Sequence, residues 1–207
     1  LYTVSDYMIN KIIDNIYEYL EKEFLHNQAR LKHIKAVLRV AVGLGEIFGV
    51  DKDSITISAL MHDATKNKSF QENYDLASKM FSSSDLLEVP KPCLHAYSAA
   101  AIAFYEFGIQ DKDILNAITY HCSGRADMSL LEKCIFVADF IEESRDFVED
   151  YIKETAYKDI DLATYLIMRE TENYLIKNNR KVSKLTIEAI KKYESPEGLN
   201  DGKIKKS

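Results

Sequence analysis

Four of this chain's five histidines, His33, His62, His95 and His121, each fall on the apolar face of a different stretch of helical periodicity. Two aspartates, Asp63 and Asp139, share that inward placement, whereas His26, near the end of the first periodic segment, does not. In "SALMHDATKNKS", residues 58–69, His62 and Asp63 stand side by side directly after an apolar run. Neighbours on a helix diverge by about 100°, so this pair would straddle a site lying over the face between them. Asp139 is set in "CIFVADFI", where no rotation of a helix leaves it in open water. An unpaired buried carboxylate costs several kcal/mol, so Asp139 needs a cation or a dense set of donors. A lone histidine on an apolar face is most often a hydrogen-bonded core residue. Four of them accompanied by two inward carboxylates point instead to a metal site.

Nitrogen and oxygen donors without a thiolate favour Fe, Mn, Co or Zn over Mg or Ca. Asp63, having two oxygens, could bridge two ions. Two ions roughly 3.5–4 Å apart clamp a phosphoryl group and lower the pKa of a water, the recurring chemistry of phosphatases. Lys66, spaced to share a helical face with Asp63, could neutralise a phosphate or assist a leaving group. Gly124 and Arg125 follow His121 in a Ser-Gly-Arg loop, and arginine offers a bidentate fork to phosphate. Arg145, just past the Asp139 helix, has the same claim. Cys93 and Cys122 flank the candidate ligands, although small buried cysteines are the commoner case. Tyr97 and Tyr120 are the tyrosines nearest the ligands and could stack a base.

The elements that must position these residues are all helices. Segment 6–25 is amphipathic, and a second helix from Ala29 stops near Gly49 with His33, Val37, Val40, Ala41 and Leu44 on one stripe. Asp51 or Asp53 caps a third, which the spacing of Ile55, Ala59, His62, Asp63 and Lys66 extends through Lys66. Residues 67–92 read as a polar excursion, helical around 71–80. Helices are expected over 93–107, closing at Gly108, and from Asp111 to about His121. Another opens on the Ser129/Glu132 capping box, and further helices cover 151–178 and 183–194. Small residues after His95, Ser98 and Ala99 among them, leave room beside it. Residues 1–195 read as one domain and 196–207 as a polar, disordered tail.

Composition agrees with an all-α protein: 46% hydrophobic and 29% charged residues, with seven glycines and three prolines in 207. A net charge of -6 disfavours a general nucleic-acid surface, so any polyphosphate would meet local cations against a repelling background. Three cysteines with no C-x-x-C spacing suggest a reducing cytoplasm. No apolar run approaches the roughly 18 residues of a membrane span, and no signal segment is evident at the N-terminus.

The pattern H…HD…D formed by His33, His62, Asp63 and Asp139 resembles the HD-domain superfamily of metal-dependent phosphohydrolases. More narrowly, "ARLKHIKAV", "ALMHDATKN", "CLHAYSAAAIAFYEFGI" and "LNAITYHCSGRADMSLLEKCIFVADFIEESRDF" resemble the YqeK-type symmetrical bis(5′-nucleosyl)-tetraphosphatases. That resemblance covers about residues 7–195. It implies a single helical bundle around a di-iron site that hydrolyses diadenosine tetraphosphate to two ADP with hydroxide generated at the metals. One ion would be held by His33, His62, Asp63 and Asp139, and a second by His95 and His121 with Asp63 bridging. Lys66, Gly124, Arg125 and Arg145 would face the nucleotide polyphosphate, and a homodimer is compatible with the pattern. Cys122 or Ser123 stands where the family has threonine. Other HD-type enzymes, acting on nucleoside monophosphates, guanosine alarmones or cyclic dinucleotides, are the alternative, as is a regulatory module without catalysis.

Overall fold

The computed structural model describes residues 4–194, and the expected disordered tail at 196–207 lies outside the described residues. Eleven α-helices occur among them, with no strand. α1 (Val4–Glu23) turns Ile16 and Leu20 into the core. α2 (Gln28–Phe48) is capped by the Asn27 side chain and buries Leu31, Ile34, Val37, Ala41 and Leu44 at three- and four-residue steps. It ends at Gly49, whose φ of +77° is the left-handed stop that glycine adopts without strain. α3 (Lys52–Met61) starts on Asp51, which accepts the Ser54 N–H. Gly45 lets α3 come close to α2, since a Cβ there would meet Ile55 Cδ1 at 2.8 Å.

α3 ends at Met61, earlier than the spacing suggested. From His62 the chain tightens into turns, with Ala64, Lys66 and Lys68 N–H donating three residues back. Thr65 pins those turns: its buried hydroxyl donates to the His95 carbonyl and pairs with Ser98 Oγ, which in turn reaches Asn73. Ser98 therefore fastens this turn as well as leaving room beside His95. The excursion contains α4 (Phe70–Ala77), opened by a Ser69/Glu72 capping box, and α5 (Ser83–Glu88). A short 3₁₀ turn at Lys91–Cys93 leads into α6 (Leu94–Tyr105), which is buried from Leu94 through Ala103 and forms the centre of the bundle.

α7 (Lys112–Tyr120) is capped by Asp111, and α8 (Leu130–Ile141) opens on the expected Ser129/Glu132 box. The single helix expected over 151–178 is two, α9 (Asp150–Ala156) and α10 (Ile160–Lys177). The break falls at 157–159 because Asp159 caps α10 by accepting the Leu162 N–H. α11 (Lys184–Glu194) closes the described chain. α3 packs against α2, α6, α7 and α8, so its C-terminal end lies among the four other helices that carry candidate ligands. One apolar cluster runs from Ile16 of α1 to Tyr193 of α11.

Candidate metal centre

All six candidate ligands converge. His33 comes from α2, His62 and Asp63 from the end of α3, His95 from the first turn of α6, His121 from the end of α7 and Asp139 from α8. Asp63 is in the middle, almost wholly buried, and its two oxygens face opposite ways. Oδ2 lies 3.6 Å from His33 Nε2 and 3.7 Å from His62 Nε2. Oδ1 lies 2.9 Å from His95 Nε2 and 3.7 Å from His121 Nε2. Within the halves, His33 and His62 present Nε2 atoms 3.4 Å apart, and so do His95 and His121. Asp139 Oδ1 joins the first half at 3.1 Å from His33 Nε2.

Hydrogen bonds on the other ring nitrogen fix three imidazoles. His62 Nδ1–H donates to the Ala59 carbonyl at 2.7 Å, and His121 Nδ1–H to the Ile118 carbonyl at 2.8 Å. His33 Nδ1–H donates to Glu142 Oε1 at 3.1 Å. Each of these Nε2 atoms then carries a lone pair aimed at other acceptors. Acceptor against acceptor in a buried space is satisfied by a shared cation, so the donor set fits divalent metal ions.

Burial alone pushes the Asp63 carboxyl upward. The surrounding imidazoles, His62 foremost and then His121 and His95, together with the Lys66 ammonium outweigh it and hold the group well below the usual range. Burial pulls His62 down to about 4. Asp139 is not sealed as the sequence suggested. Its side chain is 22% exposed, because α8 ends two residues later and opens the rim, where Arg145 Nη2 sits 3.2 Å from Oδ1.

The candidate phosphate-binding residues divide. Lys66 Nζ lies 3.2 Å from His95 Nε2 and 3.8 Å from Asp63 Oδ1, one-third exposed at the edge of the centre. Arg145 lies at the opposite edge. Arg125 is paired with Glu132, its Nε and Nη2 donating at 2.7 and 2.5 Å, and its guanidinium covers the Tyr120 ring. Gly124 has φ +61°, the left-handed conformation that glycine adopts without strain, in the turn after His121.

Two participants escaped the sequence reading. Arg30 Nη1 donates to Asp63 Oδ2 at 2.6 Å, and the fully buried Glu142 orients His33. Both were within reach of spacing: Arg30 precedes His33 by three residues and Glu142 follows Asp139 by three, one helical turn from a candidate ligand in each case.

The HD domain family model matches residues 30–144, just over half the chain, and spans every one of these ligands. The chain belongs to the HD-domain family. Curated relatives named "Bis(5'-nucleosyl)-tetraphosphatase, symmetrical" align with this HD-domain protein along most of their length. The Bacillus subtilis protein is 36% identical over 154 residues, covering 74% of this chain and 83% of the relative. That of Staphylococcus aureus is 34% identical over 187 residues, covering 88% and 95%. That of Halalkalibacterium halodurans is 34% identical, covering 74% and 82%. A crystal structure from Clostridium acetobutylicum, described as a "predicted HD superfamily hydrolase involved in NAD metabolism", superposes with a TM-score of 0.79 at 31% identity. It covers 86% of this chain and 94% of that one. Among the described residues no helix is long and apolar enough to cross a membrane.

Proposed function

We propose that this HD-domain protein hydrolyses dinucleoside tetraphosphates in the cytoplasm, converting diadenosine tetraphosphate and water to two ADP. Residues 1–195 would act as one catalytic unit holding two divalent ions, iron foremost, with Mn, Co or Zn as substitutes. The observation that carries the reading is Asp63, whose two oxygens face two separate imidazole pairs, so that one carboxylate can serve two ions. The substrate comes from the alignment with three symmetrical tetraphosphatases.

His33, His62 and Asp139 would hold one ion and His95 and His121 the other, with Asp63 between them. When bound, such a pair supplies positive charge to phosphoryl oxygens and acidifies a water. The chain's own residues do the rest. Lys66 meets a phosphate oxygen on the His95 side and offsets the charge that develops on the departing diphosphate. Arg30 and Arg145 meet phosphate on the His33 side, where with Phe147 they border a groove of about 310 Å³. A second groove of about 480 Å³ lies beside Cys93 and Ser123 and is walled by Phe81, Tyr97 and Tyr120. The first groove includes His33, the second is lined by residues that flank His95 and His121 in sequence, and its aromatic walls offer stacking surfaces for a nucleobase. Arg125, bound to Glu132, braces the loop after His121.

The test is anaerobic purification, metal analysis, and chromatography of the products from diadenosine tetraphosphate. Two ions per chain and ADP as the sole product are expected, with oxygen from ¹⁸O-water in the β-phosphate of one ADP. AMP plus ATP would refute cleavage at the centre, and a fully metallated protein that leaves the substrate intact would refute the substrate.

A further inference from the structure

We propose that Cys122 is a thiolate ligand, joining His95 and His121 on one side of the centre and making that side selective for thiophilic divalent ions such as Zn²⁺, Co²⁺ or Fe²⁺. The proposal rests on the metal-centre reading above and adds to it a donor of different chemistry. It replaces the all nitrogen-and-oxygen ligation expected from the sequence.

The geometry is that of a ligand set. Cys122 Sγ lies 3.3 Å from His121 Nε2 and 3.5 Å from His95 Nε2, and the two nitrogens are 3.4 Å apart. With metal–nitrogen bonds of about 2.0–2.1 Å and metal–sulfur bonds of about 2.3 Å, tetrahedral donors stand about 3.4 Å apart for two nitrogens and about 3.6 Å for nitrogen and sulfur. All three observed edges fall within about 0.3 Å of those values. Asp63 Oδ1 lies 2.9 and 3.7 Å from the same two nitrogens, on the border of this three-donor set. The three side chains form one of the groups whose donor atoms all lie within 4.8 Å of one another.

α7 stops at Tyr120, and the Ser123 and Gly124 N–H groups both donate to the Tyr120 carbonyl. In this last turn His121 Nε2 and Cys122 Sγ come within 3.3 Å of each other. Cys134 packs within the apolar cluster. Cys122 also borders a smaller apolar cluster, but its sulfur meets the Cys93 thiol and two imidazole nitrogens, and His121 already has its Nδ1–H committed to Ile118. As the metal–sulfur bond forms, the thiol proton leaves to solvent, so the site gains a negative charge that offsets part of the ion's own.

The experiment loads metal-free protein anaerobically with Co²⁺, counts bound ions, and records the near-ultraviolet thiolate-to-cobalt charge-transfer band. The band is expected in the wild type and in Cys93→Ser and is lost in Cys122→Ser. In parallel, Zn²⁺ is expected to block alkylation of Cys122, read by peptide mass spectrometry. Two cobalt ions bound without the band overturn this inference and leave the two-ion reading standing, as does a band that survives in Cys122→Ser. One ion with the band keeps this inference and refutes the two-ion reading. No bound ion overturns both. If Cys122→Ser fails to fold, the wild-type spectrum and the alkylation pattern decide alone.

Discussion

Glu142→Gln isolates the outermost support of the centre. The carboxylate is fully buried, accepts from His33 Nδ1 at 3.1 Å, and takes the Ser144 N–H at 2.8 Å and its hydroxyl at 2.5 Å. Every one of these partners is a donor. Glutamine keeps the volume but replaces one acceptor oxygen with an NH₂ group, so in either orientation a donor faces a donor. A hydrogen bond to a charged group contributes about 1.5–3 kcal/mol, which corresponds to roughly 10- to 150-fold. Loss of a carboxylate that orients a metal-bound histidine weakens affinity or activity by roughly 10–100-fold. The expected result is therefore a fall of about 10–100-fold in affinity for one of two ions, the other remaining tight, because Glu142 touches only the His33 half. Competition with a graded series of chelators, followed by metal analysis, reads this directly. Circular dichroism checks that helical content is kept. Both ions weakened equally, or neither, would refute the division of the centre into halves.

Three further outcomes are expected. Lys66→Met should lower turnover by about 10-fold or more while metal affinity stays level or rises, since the ammonium shares Asp63 and His95 with any ion; a drop in metal content would contradict it. Arg125→Gln should destabilise the protein by about 2 kcal/mol, since the buried Glu132 loses its counter-ion and keeps only the Ser129 N–H, and lower Tm by roughly 4–8 °C at unchanged KM. A raised KM at unchanged Tm would restore Arg125 to the phosphate. Cys134, pushed up to about 12 by burial, should be alkylated at pH 8 on the order of a thousandfold more slowly in the native than in the unfolded protein. Because the unfolded thiol ionises first, its contribution to stability is full below about pH 8.5 and is lost as pH rises toward about 12; equal labelling rates in the two states would show the site is open.

Helical periodicity made most of the bundle legible because nearly every helix carries its own cap and stripe. Asp51, Asp111 and the Ser129/Glu132 box start helices where a side-chain acceptor was evident. One error, the α9/α10 break, falls at a local cap, Asp159, that the reading passed over; the other falls where a helix ends for tertiary reasons. Nothing local marks Met61 as the last residue of α3; the turn that follows is held by Thr65 reaching α6 and, through Ser98, α4, contacts no window of sequence contains. Within the centre, imidazole and carboxylate positions could be read from the stripes. The fate of Arg125 could not, because its partner Glu132 was already explained as a capping residue and does both jobs. Cys122 was set aside because a small cysteine beside a ligand is more often a packing residue, and residue type alone does not show where its sulfur is turned.

The charges around the centre resolve a conflict that composition alone poses. A chain with a net charge of -6 repels a tetraphosphate, and the centre itself adds two carboxylates. Yet each ligand carboxylate carries its own cation: Arg30 on Asp63 Oδ2, Lys66 beside Oδ1, and Arg145 on Asp139. These cations stand at the exposed edges of the buried ligands. Divalent ions held by these imidazoles and carboxylates would take over the neutralisation of the same oxygens, leaving Arg30, Lys66 and Arg145 to turn their hydrogen bonds outward to phosphate. Ion binding and polyphosphate binding would then be coupled, because the carboxylates that pair with these cations are the ones that would hold the ions.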